Sequence, residues 1–432
     1  MSVALASTIN SSLAVVGGGK RSRAFAFVVL LLSSGAFLNL FWNEDLASNP
    51  GNGVVGLQLA WAGIYVVVLA ALWGRKPSPF RLLWNNRVLL TLTLLPAIST
   101  LWSGQPGLTL RRALGVIGGT FFSLFLVSEF SPAEELEVLG SVFAFSVFAS
   151  FFFGIFHFGR SVDGLEGVWS GIYLQRNTLG SMMTIGGVVF LLLAKIKPKG
   201  RGRSMFYGAA AFGLVLLSGS VTSWLTFLIL VAALLVLPRL RAKWAQAKKT
   251  IWALAVAGVL AAALVATQFD NLTQLLGRDS TLTGRTTLWA VSYVTGLDRP
   301  WLGNGFNAFW LGTEGPAAEV LEVVKWNAPS AHNGLLETWL DLGIPGVLLV
   351  SFVFGRTFRR SVLFFRQHSG WEHSWPFLFL VLLFLLNLTE SVFLSSNGFF
   401  WILFVSIALR VSSACRQSSA SGPAAEMVLV HP

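Results

Sequence analysis

The sequence predicts an all-α protein that crosses a membrane about twelve times. Three observations carry this. The 432 residues are 54% hydrophobic and only 12% charged. The apolar residues fall in uninterrupted blocks of about 17 to 22, enough as helix to cross a ~30 Å hydrocarbon core. None of the blocks alternates with period two, which excludes a β-barrel.

In chain order, residues 1–23 form a Ser-rich N-terminus that is expected to be disordered and cytoplasmic. Lys20, Arg21 and Arg23 precede the first apolar block without a small-residue cleavage site after it, so that block is read as a retained helix rather than a signal peptide. The expected spans are 24–42, 53–73, 88–102, 113–128, 137–158, 177–194, 204–218, 221–237 and 251–268, which make up a bundle over 24–268. A long loop, 269–333, follows. Spans 334–355, 375–389 and 397–411 close the chain before a tail at 412–432.

Basic residues set the orientation, because cytoplasmic loops retain Lys and Arg. With the N-terminus inside, 23 of the 31 fall on inner segments and 8 on outer ones. Both termini are then cytoplasmic and the long loop is periplasmic. The net charge of +12 is a topology signal directed at anionic headgroups, and it does not call for nucleic acid. Cys415 is the only cysteine, so no intramolecular disulfide or cysteine metal cluster is available.

At 65 residues the loop 269–333 far exceeds a helix-to-helix link. Its short amphipathic stretches are expected to lie along the outer membrane face. Phe306, Phe309 and Trp310, spaced i, i+3, i+4, would form one aromatic edge at the lipid interface.

The outer basic residues are Arg111, Arg112, Arg160, Arg176, Arg278, Arg285, Arg299 and Lys325. Seven are arginine, whose planar fork matches phosphate oxygens bidentately. Ion pairing with outer carboxylates or snorkelling would equally account for any single one. Arg176 sits in Gln175-Arg176-Asn177-Thr178-Leu179-Gly180 at the mouth of a span. Arg278 and Arg285 bracket a polar run from Gly277, and Arg111 with Arg112 opens another span. Together they are read as a cationic pocket for a diphosphate.

Only His157 and His332 of the five histidines fall on the outer side. In Ser330-Ala331-His332-Asn333-Gly334, Ser330 is placed to cap a helix with His332 in its first turn. A helix N-terminus disfavours imidazolium, which suits a general base; the alternative is an imidazole that only ties down the helix start. His157, between Phe156 and Phe158, is read as structural.

The runs Gly277 to Trp289, Arg299 to Phe306 and Ala331 to Glu337, with Arg176-Asn177-Thr178-Leu179-Gly180 and Leu101-Trp102-Ser103, resemble the O-antigen ligase and Wzy-type polymerase superfamily, most closely its exopolysaccharide-polymerase branch. The resemblance covers most of 95–345 in the expected order. It implies a GT-C-like membrane glycosyltransferase that transfers glycan from undecaprenyl diphosphate to an acceptor hydroxyl at the periplasmic face of the bacterial inner membrane. It gives His332 the role of activating the acceptor, gives Arg176 and Arg285 diphosphate contacts, and adds Arg278 as a third. Asn177, Asn333 and Glu337 support them. Its implied partners are the lipid-linked donor, a glycan acceptor, the bilayer and a chain-length regulator. Val221, in Ser218-Gly219-Ser220-Val221-Thr222, departs from relatives that carry a basic residue there.

Displacing a diphosphate requires stabilisation of developing negative charge and help for the attacking hydroxyl. No Asp-x-Asp occurs in the chain, so arginines in place of metal, no cofactor and inversion at the anomeric carbon are expected. Polymerase and ligase differ only in acceptor, another lipid-linked repeat unit or lipid A core. A lipid-linked sugar transporter is the rival from another class, and it would place ionisable residues or broken helices near the bilayer midplane.

Overall fold

The computed structural model describes residues 17–40, 54–75, 78–156, 167–242, 283–312 and 315–420. Fourteen α-helices and no strand are found among them. They are α1 (Lys20–Ser33), α2 (Val55–Leu72), α3 (Phe80–Trp84), α4 (Arg87–Ile98), α5 (Pro106–Glu129), α6 (Pro132–Ile155) and α7 (Arg176–Ile196). After these come α8 (Arg201–Leu217), α9 (Val221–Ala242), α10 (Thr283–Gly296), α11 (Ala318–Val324), α12 (Gly334–Gln367), α13 (Trp375–Asn387) and α14 (Phe399–Ala420). Eleven of the twelve expected spans coincide with helices, and the segment 251–268 lies outside the described residues. Among the described residues seven helices, α2, α5, α6, α7, α9, α12 and α14, are long and apolar enough to cross a membrane. The chain is a multi-pass membrane protein.

Helix α7 is the axis of the bundle. It packs against α6, α8, α9 and α13, and most of its side chains from Leu179 to Ala194 are buried. Glycines 180, 186 and 187 let it approach its neighbours closely, since a side chain there would strike Ser223, Phe143 or Phe227. On the other side α5 carries α14, α4 and α2. Helix α2 keeps most of its surface exposed, as an outer lipid-facing span should.

The two ends of the bundle differ in chemistry. At one, Arg23 pairs with Glu134 and Glu137, Lys197 with Glu137, and Arg75 with Glu129. Glu135, almost fully buried, is held by Arg410 at 2.5 Å and by Ser406. Acids thus enter the bundle at this end where a basic partner meets them. At the other end the starts of α5, α7, α12 and α14 converge with the end of α13.

Helix α12 is two helices joined across a break at Gly343, whose φ of 64° is left-handed. The break frees backbone groups that the loop 299–305 satisfies. Asn304 and Gly305 donate their N–H groups to the carbonyls of Leu340 and Asp341, and the Ile344 N–H donates to the Pro300 carbonyl. Pro345 directly after the break removes one donor that would otherwise need a partner.

This docking turns the aromatic residues inward. Phe306, Phe309 and Trp310 are 3%, 0% and 7% exposed, so the lipid-facing aromatic edge is not formed. Gly303, Gly305 and Asn307 at positive φ make the stretch an irregular turn instead of a helix, which cancels the i, i+3, i+4 spacing. Phe309 and Trp310 join Leu288, Val320 and Leu340 in a second small core that fixes α10 and α11 against α12.

Candidate active site

Helix α12 starts at Gly334, and its cap is Asn333, whose side-chain oxygen accepts from the Leu335 and Leu336 N–H groups at 3.2 and 3.1 Å. The sequence reading of Ser330 as cap is therefore corrected. Asn333 is as good a cap and lies nearer the apolar periodicity, and the Ser330 hydroxyl instead accepts from the His332 N–H at 3.3 Å. His332 stands just before the helix, in left-handed backbone with φ 49°.

Neighbouring bonds hold that backbone in place. The Ala331 N–H donates to Glu337 Oε2 at 2.7 Å, its carbonyl accepts from Trp289 Nε1 at 2.8 Å, and the Asn333 N–H reaches Ser391 Oγ at 3.2 Å. Glu337 Oε2 also accepts from Trp310 Nε1 at 3.1 Å and from Ser391 Oγ at 3.4 Å. The acid thus ties the loop, the start of α12 and the turn after α13 to one point.

The imidazole is 11% exposed, and its Nδ1 lies 3.0 Å from Glu390 Oε2. Glu390 sits in the turn after α13 and gathers two more donors on its other oxygen, Arg285 Nη2 and Asn177 Nδ2, both at 3.0 Å. Burial pushes the Glu390 carboxyl up, but the His332 hydrogen bond and the charge of Arg285 outweigh it and hold the group below the ordinary carboxylate range. An ionised carboxylate only accepts, so the ring nitrogen facing Glu390, Nδ1, is the one that carries a proton, and in the neutral ring the lone pair is on Nε2.

Three sequence-predicted residues, His332, Arg285 and Asn177, thus meet on one carboxylate that the sequence reading missed. Its signal was the polar run Asn387-Leu388-Thr389-Glu390-Ser391 at the end of an apolar span, an acid with no base nearby in sequence. Arg176, beside Asn177, donates from Nη1 to the Gly219 carbonyl at 3.3 Å and so clasps the turn between α8 and α9.

Arg111 and Arg112 belong to a different wall. They line a cavity of about 450 Å³ that also holds Asp341, Asn307 and Asn397, and Arg112 Nη1 donates to the Asn307 carbonyl at 2.6 Å. Ser330, Glu337 and Ser391 line the same cavity, so it adjoins the His332 cluster without merging the arginines into one pocket. Arg278 and His157 lie outside the described residues. Among the described residues no group of three or more His, Cys, Asp or Glu side chains is arranged to hold a metal ion.

Residues 206–351 match the family described as O-Antigen ligase. That stretch runs from α8 into α12 and contains Arg285, His332 and Glu337, whereas Asn177 and Glu390 reach the site from outside it. Over 275 residues the chain is 26% identical to the Exopolysaccharide production protein ExoQ of Rhizobium meliloti (strain 1021), covering 60% of this chain and 62% of that relative. The match thus spans about three-fifths of the relative's length.

Proposed function

Because residues 206–351 match the family described as O-Antigen ligase and the chain is similar to an exopolysaccharide production protein, we propose that it polymerises undecaprenyl-diphosphate-linked oligosaccharide repeat units during exopolysaccharide synthesis, at the periplasmic face of the bacterial inner membrane. The observation that carries the reading is the contact of His332 Nδ1 with Glu390 Oε2, with Arg285 on the same carboxylate. Glu390 fixes the ring so that Nε2 faces the acceptor. It also stabilises the imidazolium that forms when the ring takes the hydroxyl proton, as carboxylates do in hydrolase triads.

In the proposed step the acceptor oxygen bonds to the anomeric carbon of the donor as the bond from that carbon to the diphosphate oxygen breaks. The hydroxyl proton passes to His332 Nε2, and the leaving diphosphate takes the electron pair. Direct displacement inverts the anomeric configuration. Arg285, Arg176 and Arg278 neutralise the growing charge on the diphosphate, the task a divalent ion performs elsewhere. Arg285 has donors to spare for this, since its contact with Glu390 uses one of the five N–H groups of a guanidinium. Asn333 and Glu337 support the site by holding the backbone on either side of the base.

The test supplies purified protein in lipid nanodiscs with lipid-linked repeat units and EDTA, and follows chain growth. The reading expects growth by wild type in EDTA and its loss in folded His332→Ala. Transfer by wild type only onto added lipid A core would make the protein a ligase with the same chemistry, and full activity of His332→Ala would overturn the assignment of the base.

A further inference from the structure

The cavity beside the His332 cluster has a composition that the proposed chemistry does not use. Asp341 on its wall is 3% exposed, and its Oδ1 has no hydrogen-bond partner among the described residues. The same carboxylate takes a hydrogen bond from the Asn307 backbone N–H and faces the charge of Arg112. A buried carboxylate oxygen left without a donor costs about as much as a lost hydrogen bond to a charged group, so a lining with this feature awaits a donor from a ligand.

The rest of the lining narrows what that ligand is. Acid and base stand together, Asp341 and Glu337 with Arg111 and Arg112, so the lining is mixed and not the uniformly basic patch that a diphosphate calls for. Amide and hydroxyl groups, Asn397 and the serines at 391, 395 and 396, offer both donors and acceptors, and Trp61, Phe306 and Phe393 supply apolar faces. Closely mixed carboxylate, guanidinium, amide and aromatic groups suit vicinal hydroxyls, each of which donates and accepts. About 450 Å³ accommodates one or two sugar rings.

We propose that this cavity is the acceptor-glycan subsite, in which Asp341 and Arg112 hold neighbouring hydroxyls of the terminal sugar. The assignment rests on the transferase reading above and adds the side from which the attacking hydroxyl arrives. His332 stands between the two halves. Arg285 and Asn177 meet its partner Glu390 on one side, and Ser330 and Ser391, flanking His332 and Glu390, open into the cavity on the other. Arg111 and Arg112 thereby leave the diphosphate set and join the acceptor set.

The test uses repeat-unit oligosaccharide released from the host's lipid carrier by mild acid and labelled at its reducing end with a fluorophore, so that it has no diphosphate. Its dissociation constant for the full-length protein in nanodiscs is measured by fluorescence polarisation, and its KM is measured where transfer occurs. Asp341→Asn, which replaces one carboxyl oxygen by an amide at constant shape, is expected to weaken binding about tenfold or more. Acceptor KM should rise in step while donor KM stays within about twofold. Leu57→Trp, which fills the cavity from α2 without touching the acid, is expected to do the same, so the proposal survives a poorly folding Asp341→Asn. Equal binding by folded Asp341→Asn or Leu57→Trp and wild type, or a rise in donor KM alone, would overturn the subsite. Failure of wild type to transfer while binding stays sensitive to Asp341 would sink the transferase reading and leave a glycan-binding cavity.

Discussion

His332 and Glu390, 58 residues apart in sequence, meet at 3.0 Å with the imidazole Nδ1 on the carboxylate. The turn after α13 thereby sets the tautomer of a ring at the start of α12. Replacing the carboxylate by an amide removes the charge while keeping the shape. Glu390→Gln is expected to lower the rate of chain growth on the order of 10- to 1,000-fold with little change in donor KM. Initial rates over a range of donor concentrations decide it, and an unchanged maximal rate would show that the ring needs no partner.

The same carboxylate contributes to stability in a defined pH window. Its folded value lies below the ordinary glutamate value of 4.5, so the folded state binds the proton less readily than the unfolded chain. The contribution is fully present above that ordinary value and is lost as pH falls through the lower folded value. Thermal melts of wild type and Glu390→Gln should differ by a constant amount above pH 4.5 and converge in more acid solution. A gap that widens on acidification would contradict the sign.

Asn333 caps α12 through two bonds. Asn333→Ala should cost about 1 kcal/mol of stability and disturb the left-handed His332 beside it, whereas Asn333→Asp, which keeps a capping oxygen, should retain most of the stability. Melting temperatures of the pair measure this, and equal losses in both would show that the amide matters for something other than the cap.

Gly343 and Gly355 make an opposed pair within one helix. A Cβ on Gly343 would stand 2.1 Å from the Trp301 carbonyl oxygen, in backbone at φ 64°, while one on Gly355 meets nothing within 4 Å. Gly343→Ala should lose more than about 2 kcal/mol and give little monodisperse protein. Gly355→Ala should gain about 0.5 to 1 kcal/mol, the usual benefit of alanine in a helix. Size-exclusion profiles and melts of the two separate these outcomes.

The helices were legible because apolar runs of membrane length leave few alternatives, and His332, Arg285 and Asn177 stood out by residue type on the outer side. Glu390 was not, since its three partners lie 58, 105 and 213 residues away and the short polar run that holds it names none of them. The aromatic triplet misled for a related reason. Spacing of i, i+3, i+4 carries meaning only on a helix, and Gly303, Gly305 and Asn307 at positive φ rule one out there. The capping misreading was smaller, a shift of three residues from Ser330 to Asn333, but it moved His332 from inside a helix to the turn before it.

The break in α12 is joined to the loop 299–305 mainly by main-chain groups, with two side chains adding bonds, Asn304 through Nδ2 to the Leu340 carbonyl and Trp339 through Nε1 to the Pro300 carbonyl. A seam made of peptide groups is indifferent to most of the letters that carry it. Apart from the glycines that must remain bare, the seam itself imposes little on the residues that follow, from 306 to 330. Side chains along the seam can therefore change while the imidazole and its carboxylate keep their mutual placement.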